Sequence, residues 1–264
     1  MSAFLVDSHC HLDLLDFEAL GTDLNGVMAR ARDHGVGYML CVGIKLETLP
    51  DVLAIAGANA NVYASVGVHP NEHGDREPDV DTLVRLSGES DKVIAVGETG
   101  LDYYRSEGDL AWQRERFRRH IAAAREVGKP LIIHSRAARE DTLCILREEG
   151  AHQVGGVMHC FTEDWSMARQ AMDLNFYISF SGIVTFNSAK TLKDVAARMP
   201  LERMLVETDS PYLAPVPFRG KTNQPAYVRH VAQHIADLRG ISVEEVAEAT
   251  TSNFAELFKP PRFH

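Results

Sequence analysis

The first reactive pattern in the chain is Phe4-Leu5-Val6-Asp7-Ser8-His9-Cys10-His11, an apolar run that ends in two histidines one residue apart. Extended backbone alternates its side chains, so His9 and His11 project to one face and Cys10 to the other. Two imidazoles on one face at a strand's end can share a divalent ion. Taken alone, such a pair is as readily structural, because histidine is an intermediate resident of protein cores. Other apolar runs end in the same manner, however. Val68-His69-Pro70, Gly97-Glu98-Thr99-Gly100-Leu101-Asp102, His134-Ser135-Arg136, His159-Cys160-Phe161 and Glu207-Thr208-Asp209-Ser210-Pro211 each follow one. The four imidazoles of His9, His11, His134 and His159, with the carboxylates of Glu98 and Asp209, suit two divalent ions of borderline type. Glu98 is the natural bridge. A water shared by such a pair would ionise near neutral pH and attack an electrophile, with Asp209 taking or orienting its proton.

Eight apolar runs of strand character must position these groups: Phe4–Asp7, Tyr38–Val42, Tyr63–Val68, Val93–Val96, Leu131–His134, Gly156–His159, Phe176–Phe180 and Met204–Glu207. Helical patterns lie between them, with a stripe of Leu110, Phe117, Ile121 and Ala124 and a further helix around Glu140–Arg147. Two more helices are expected at Tyr227–Leu238 and Val243–Phe258, the second opened by a capping box of Ser242 and Glu245. Strands alternating with helices imply a parallel sheet. Eight units in 264 residues predict a closed (β/α)8 TIM barrel, whose reactive groups gather at the C-terminal ends of the strands. Six of the eight runs end in an ionisable group, and so many buried charges without a metal would be costly. No repeat or linker divides the chain, and Pro211, Pro215, Pro217 and Pro225 read as one loop, so a single domain over residues 1–264 is expected.

The remaining polar residues carry weaker signals. Asp209 could instead cap the turn before Pro211. Glu207 has two open roles, supporting the ligands from behind or holding an additional ion. His69 suits a contact to substrate or water, with a structural role as the alternative. Arg136, and Arg219 and Asn223 in the basic loop after the eighth run, are candidate phosphate contacts. A salt bridge to a neighbouring helix would equally explain Arg136. Tyr103, Tyr104 and Phe161 could stack on a base or sugar, or simply pack. The segment Trp112–His120, with Arg114, Arg116, Arg118 and Arg119, predicts a solvated helix face without function. His34, His73, His120, His152, His230, His234 and His264 read as surface or packing residues.

Composition narrows the function classes. Hydrophobic residues make up 45% of the chain, enough for a large core, and no apolar run reaches the ~20 residues that span a bilayer. The start has neither a basic segment nor a long apolar one, so a secretory signal is not expected. Cys10, Cys41, Cys144 and Cys160 lie far apart, as in a cytoplasmic protein with reduced thiols. A net charge of −10 argues against a general duplex binder. It leaves room for a local basic rim, since metal ions neutralise a carboxylate-rich site.

Taken in order, five segments match one known family: Val6-Asp7-Ser8-His9-Cys10-His11-Leu12-Asp13, Gly97-Glu98-Thr99-Gly100-Leu101-Asp102-Tyr103, Pro130-Leu131-Ile132-Ile133-His134-Ser135-Arg136, His159-Cys160-Phe161 and Leu205-Val206-Glu207-Thr208-Asp209-Ser210-Pro211-Tyr212. Over essentially its whole length the sequence resembles the TatD-type metal-dependent deoxyribonucleases, a branch of the amidohydrolase-like metallohydrolases. The resemblance implies that His9, His11, Glu98 and Asp209 hold one ion and that Glu98, His134 and His159 hold the other. It implies magnesium or another divalent metal, the N/O ligands themselves admitting magnesium, manganese or zinc, and a cytoplasmic location. The implied activity is hydrolysis of DNA phosphodiesters, from the 3′ end of single strands. A monomer is the default, because no apolar stripe stands out. The same metal pair would also serve a small-molecule amidohydrolase or esterase, or an aminoacyl-tRNA deacylase. Many amidohydrolases carry a modified lysine where this chain has Glu98, which tilts the balance toward the deoxyribonuclease branch. A non-catalytic barrel is the third reading, and it would require a lost ligand.

Overall fold

The computed structural model describes residues 4–73 and 77–263. The apolar runs form eight strands: β1 Leu5–Cys10, β2 Val36–Cys41, β3 Val62–Val66, β4 Val93–Asp102, β5 Leu131–Arg136, β6 Gly156–Met158, β7 Phe176–Phe180 and β8 Met204–Val206. The helices are α1 Phe17–Leu20, α2 Leu24–Asp33, α3 Leu49–Ala58, α4 Val80–Gly88 and α5 Ala111–Val127. They continue with α6 Arg139–Glu148, α7 Trp165–Asp173, α8 Lys190–Arg198, α9 Val228–Arg239 and α10 Val243–Phe258. Each strand pairs in parallel with the next, in the order β1 to β8. The TIM barrel expected from the alternation is the architecture observed.

Its seam is closed by polar groups. Asp209 N donates to the His9 carbonyl at 2.9 Å and His11 N to the Ser210 carbonyl at 2.8 Å. Beneath them the buried Asp7 carboxylate accepts from Thr208 N at 2.8 Å and Thr208 Oγ1 at 2.5 Å. Ser8 Oγ reaches the Val206 carbonyl at 2.9 Å. Burial dominates at Asp7 and pushes its carboxyl up to about 8 despite these donors. Sequence segments two hundred residues apart are thereby held in register where the candidate ligands emerge.

Two buried clusters divide the core by strand parity. Val6, Leu40, Tyr63, Ile132, Val157, Tyr177 and Leu205 pack together as the lumen, joined by Phe254 and Phe258 of α10. Their strand neighbours, among them Leu5, Met39, Ala64, Ile133, Met158, Ile178 and Val206, pack with the helices. The helix α10, with its capping box formed as expected, therefore plugs one end of the barrel and leaves the other for chemistry. Strand β1 departs from strict alternation. Its register shifts between Asp7 and Cys10, so that Val6 sits in the lumen while Cys10, four residues on, packs outside. Such an irregularity re-aims side chains, and here it turns His9 and His11 inward.

Three strands run on past the ends of their apolar runs, β5 by two residues to Arg136. Strand β1 continues through His9 to Cys10, and β4 runs on from Val96 to Asp102 across a register shift between Val96 and Thr99. Glycine makes the extension of β4 possible. Gly100 has φ 136°, and a Cβ there would meet the His134 carbonyl oxygen at 2.0 Å. Hydropathy marks only where strands are apolar, and these three become polar before they end. The second, third, sixth and eighth strands stop one or two residues short of the expected ends, leaving His159 and Glu207 on the segments that follow.

Candidate metal centre

The side chains of His9, His11, Glu98 and Asp209 converge on one point. His9 Nε2 lies 3.3 Å from His11 Nε2, 3.3 Å from Glu98 Oε2 and 3.7 Å from Asp209 Oδ1. His11 Nε2 is 3.4 Å from Asp209 Oδ1. Asp209 reaches inward from a left-handed backbone conformation, φ 57°, which aspartate tolerates better than most residues. A second set surrounds the other carboxylate oxygen. Glu98 Oε1 is 2.8 Å from His159 Nε2, 3.1 Å from His134 Nδ1 and 3.4 Å from His69 Nε2. His134 Nδ1 is 3.4 Å from both His159 Nε2 and His69 Nε2. Two ligands of one ion, each ~2.1 Å from it, stand about 3.0–3.5 Å apart at octahedral or tetrahedral angles. Most of the observed spacings fall in that range, with His9–Asp209 at 3.7 Å and Glu98–His159 at 2.8 Å just outside it, and Glu98 gives one oxygen to each set.

Protonation chemistry supports the same fit. The Val42 carbonyl lies 3.1 Å from His11 Nδ1, and a carbonyl only accepts, so Nδ1 carries the proton. The His11 Nε2 lone pair then faces His9 and Asp209, an arrangement that calls for a cation between them. The carboxylates supply the complementary charge. Burial works against a charged His159, yet Glu98 and Glu207 hold it well above the usual histidine range. Burial is likewise outweighed at His11 by Asp209, and at His134 by Asp102 and Glu98. Burial would raise Glu98, but the surrounding imidazoles keep it well below the usual carboxylate range. Asp209 is held low in the same way by His11, His9 and His159. At His9 and His69 burial prevails instead, lowering His9 below the usual histidine range and His69 to about 4. The raised imidazoles share protons with the carboxylates, and a divalent metal would displace those protons, because neutral imidazoles and ionised carboxylates are the forms that bind it.

The TatD related DNase family matches residues 6–259 of this chain. The chain belongs to that family. It is 54% identical over 255 residues to the uncharacterized metal-dependent hydrolase YcfH of Escherichia coli K12, covering 97% of this chain and 96% of that protein. It is 30% identical over 241 residues to a protein of Klebsiella pneumoniae 342 named 3'-5' ssDNA/RNA exonuclease TatD, covering 89% and 92% of the two chains. The crystal structure of YjjV, a TatD homolog from Escherichia coli K12, superposes with a TM-score of 0.86 at 28% identity, covering 97% and 98%. The protein is therefore an enzyme, a metal-dependent hydrolase of the TatD DNase family.

In this TatD-family barrel the centre is backed by further carboxylates. Asp102 Oδ2 lies 3.3 Å from His134 Nε2, on the side of the ring away from Glu98. Asp102 also accepts from Asn71 Nδ2 at 2.7 Å and from the amides of Tyr104 and Arg105. In the sequence Asp102 is marked only by its place four residues after Glu98, on what proves to be an extended β4. Glu207 Oε1 is 3.3 Å from His159 Nδ1 and accepts from Cys160 N at 2.6 Å. His9, His159 and Glu207 also lie close enough together to hold an ion, and His9 Nδ1 and Glu207 Oε2 are buried without a partner among the described residues.

The substrate candidates are dispersed. His69 is drawn into the donor cluster around Glu98. Arg136 is half-buried and stacks on the Tyr104 ring, its guanidinium carbon 4.0 Å from the centroid. Arg219 is exposed, against the Phe186 ring at 4.4 Å. Asn223 requires a correction, because it is fully buried. Its Nδ2 donates to the carbonyls of Thr208 and Tyr212, and its Oδ1 accepts from Gln224 N, so it braces the β8 loop from beneath. Phe161 is buried packing, whereas Tyr104 is exposed.

The arginine-rich segment also differs from expectation. Arg116 is only 2% exposed. Its guanidinium donates to the His69 carbonyl at 3.0 Å, to the Glu72 carbonyl at 2.7 Å and in a fork to the Glu77 carboxylate. On the same face of α5, Gln113 Oε1 accepts from Asp102 N at 3.0 Å and its Nε2 donates to the Pro70 carbonyl at 3.2 Å. One turn beyond Arg116, His120 takes the Val68 amide on Nε2 at 3.0 Å and gives Nδ1–H to the Arg116 carbonyl at 2.8 Å. Gln113, Arg116 and His120 form a buried polar stripe that grips the loop carrying His69 and the end of β4 carrying Asp102. Arg114, Arg118 and Arg119 remain partly exposed, as expected. His120 is packing, as expected, and His264 lies outside the described residues.

Proposed function

We propose that the enzyme hydrolyses phosphodiester bonds of DNA, working from the 3′ end of single strands, with His9, His11, Glu98 and Asp209 holding one divalent ion and Glu98, His134 and His159 the other. The observation that carries this reading is Glu98, whose two oxygens divide between two converging donor sets at the open end of the barrel. Divalent ions held there lower the pKa of water and neutralise charge that builds on a phosphoryl group. Asp209 is ionised at neutral pH, held low by its histidine neighbours, and accepts the proton of the attacking water at its carboxylate. Water adds to phosphorus, one P–O ester bond breaks, and the departing oxygen takes up that proton. Glu207 and Asp102 orient His159 and His134 from behind, as carboxylates behind metal-ligating histidines commonly do. Arg136 at the rim suits bidentate contact to a phosphate, with exposed Arg219 farther out.

The name of the Klebsiella relative supports the polarity and the single-strand preference. The free cysteines, two of them buried, are in keeping with a reducing cytoplasm. The test is digestion of end-labelled single-stranded DNA by metal-stripped protein reloaded with magnesium or manganese, with Asp209→Asn in parallel. The expected result is a ladder shortening from the 3′ end with native protein alone. Intact DNA at full metal occupancy, with turnover of aryl esters or aminoacyl esters instead, would overturn the reading.

A further inference from the structure

Among the described residues, the exposed large apolar side chains are Leu14 (37%), Tyr104 (69%), Tyr212 (53%) and Val216 (47%). All four lie on the segments that follow strands at the same end of the barrel, Leu14 in a short 3-10 turn. Leu14 follows β1, Tyr104 follows β4, and Tyr212 and Val216 follow β8. The other end is sealed by α10, and its aromatic residues Phe254 and Phe258 are buried. Exposed apolar surface confined to the mouth of one centre marks a contact surface rather than the scattered exposure usual on soluble proteins.

The two tyrosines flank the two donor sets. The Tyr212 ring lies edge-on to His11, centroids 6.2 Å apart, beside the set formed by His9, His11 and Asp209. Tyr104 lies at the other side of the barrel, with Arg136, two residues beyond His134, stacked on it. A planar guanidinium on an aromatic face leaves the opposite face free for a second planar group. Resting on the nuclease reading above, we infer that Tyr104 and Tyr212 are stacking posts for the two nucleobases on either side of the scissile phosphate. The substrate class is then a strand whose terminal bases are unpaired. A base can stack on each ring only after leaving its partner, and every base offers a π face, so the selection is for single-strandedness and not for sequence. Arg136 serves the first post twice, stiffening the ring and offering its N–H groups to the adjoining phosphate.

The experiment compares two oligodeoxynucleotides on the metal-loaded enzyme. One carries normal bases throughout; the other has tetrahydrofuran abasic residues at its last two 3′ positions. Native enzyme is expected to prefer the normal oligonucleotide by about 10-fold or more in kcat/KM, the scale of base–aromatic stacking. In Tyr104→Ala and Tyr212→Ala that preference should shrink toward unity, and in Tyr104→Phe and Tyr212→Phe it should persist. A native preference near unity would overturn the inference. So would alanine variants that slow on both substrates alike, because a purely structural role lowers the rate without changing the ratio. Failure of the native enzyme to degrade either oligonucleotide would instead remove the nuclease reading itself, and this inference with it.

Discussion

Glu98 is the residue on which both donor sets depend, one through each carboxylate oxygen. Replacing it with glutamine keeps the shape and removes the shared charge. Glu98→Gln is expected to lower metal content measured by elemental analysis from two ions per chain to one or fewer. Its kcat/KM should fall by about 10³-fold, the scale of losing several kcal/mol of electrostatic stabilisation. Asp102→Asn should act more selectively. It removes the carboxylate facing His134 Nε2, so affinity at one site should drop by about 10–100-fold while the other is retained, as two-phase metal titration would reveal. Most of the residues that converge were visible in the sequence because each ends an apolar run. Asp102 was not, since it ends a polar extension of β4 that hydropathy cannot trace. Asn223 misled because a polar residue in a basic loop looks available for substrate, and nothing local reveals that backbone carbonyls occupy its amide.

At the scale of the element, α5 is more than a layer of the barrel wall. Gln113, Arg116 and His120 recur at helical spacing, and their buried face clamps the β3 and β4 loops. Arg116→Met is expected to destabilise the fold by about 2–3 kcal/mol in urea denaturation, because two carbonyls lose their donor in a buried place. Burial, aided by the Arg116 charge and opposed by the hydrogen bond to the Arg116 carbonyl, favours the neutral form of His120 and lowers it to about 4 from an ordinary 6.5. The stability this contributes is complete above pH ~6.5 and is lost as pH falls toward 4, since only the unfolded chain then takes up the proton. Between pH 7 and 4.5 the native protein in chelator should lose about 2–3 kcal/mol that His120→Gln does not lose. The segment reads as solvated because four arginines crowd nine residues. Three of them are partly exposed, and the fourth faces inward by the phase of the helix. The strand and helix order was legible from hydropathy alone, whereas the register shifts in β1 and β4 depend on which backbone atoms a neighbouring strand offers.

For the molecule as a whole, the barrel separates stability from chemistry. The α10 plug and the lumen cluster sit at one end, and a centre rich in charge sits at the other. Metal binding should therefore feed back on folding. At free metal about 100 times its dissociation constant, each site adds about 2.7 kcal/mol. Chelation should thus lower the melting temperature by roughly 5 °C or more in a scanning calorimeter. The central claim is that Glu98 joins two ions into one centre. The most direct measurement is an anomalous difference map from crystals grown with zinc and with manganese. Two peaks about 3.5–4 Å apart, each touching one oxygen of Glu98, are the predicted result. A single peak, or two peaks that do not share Glu98, would contradict it.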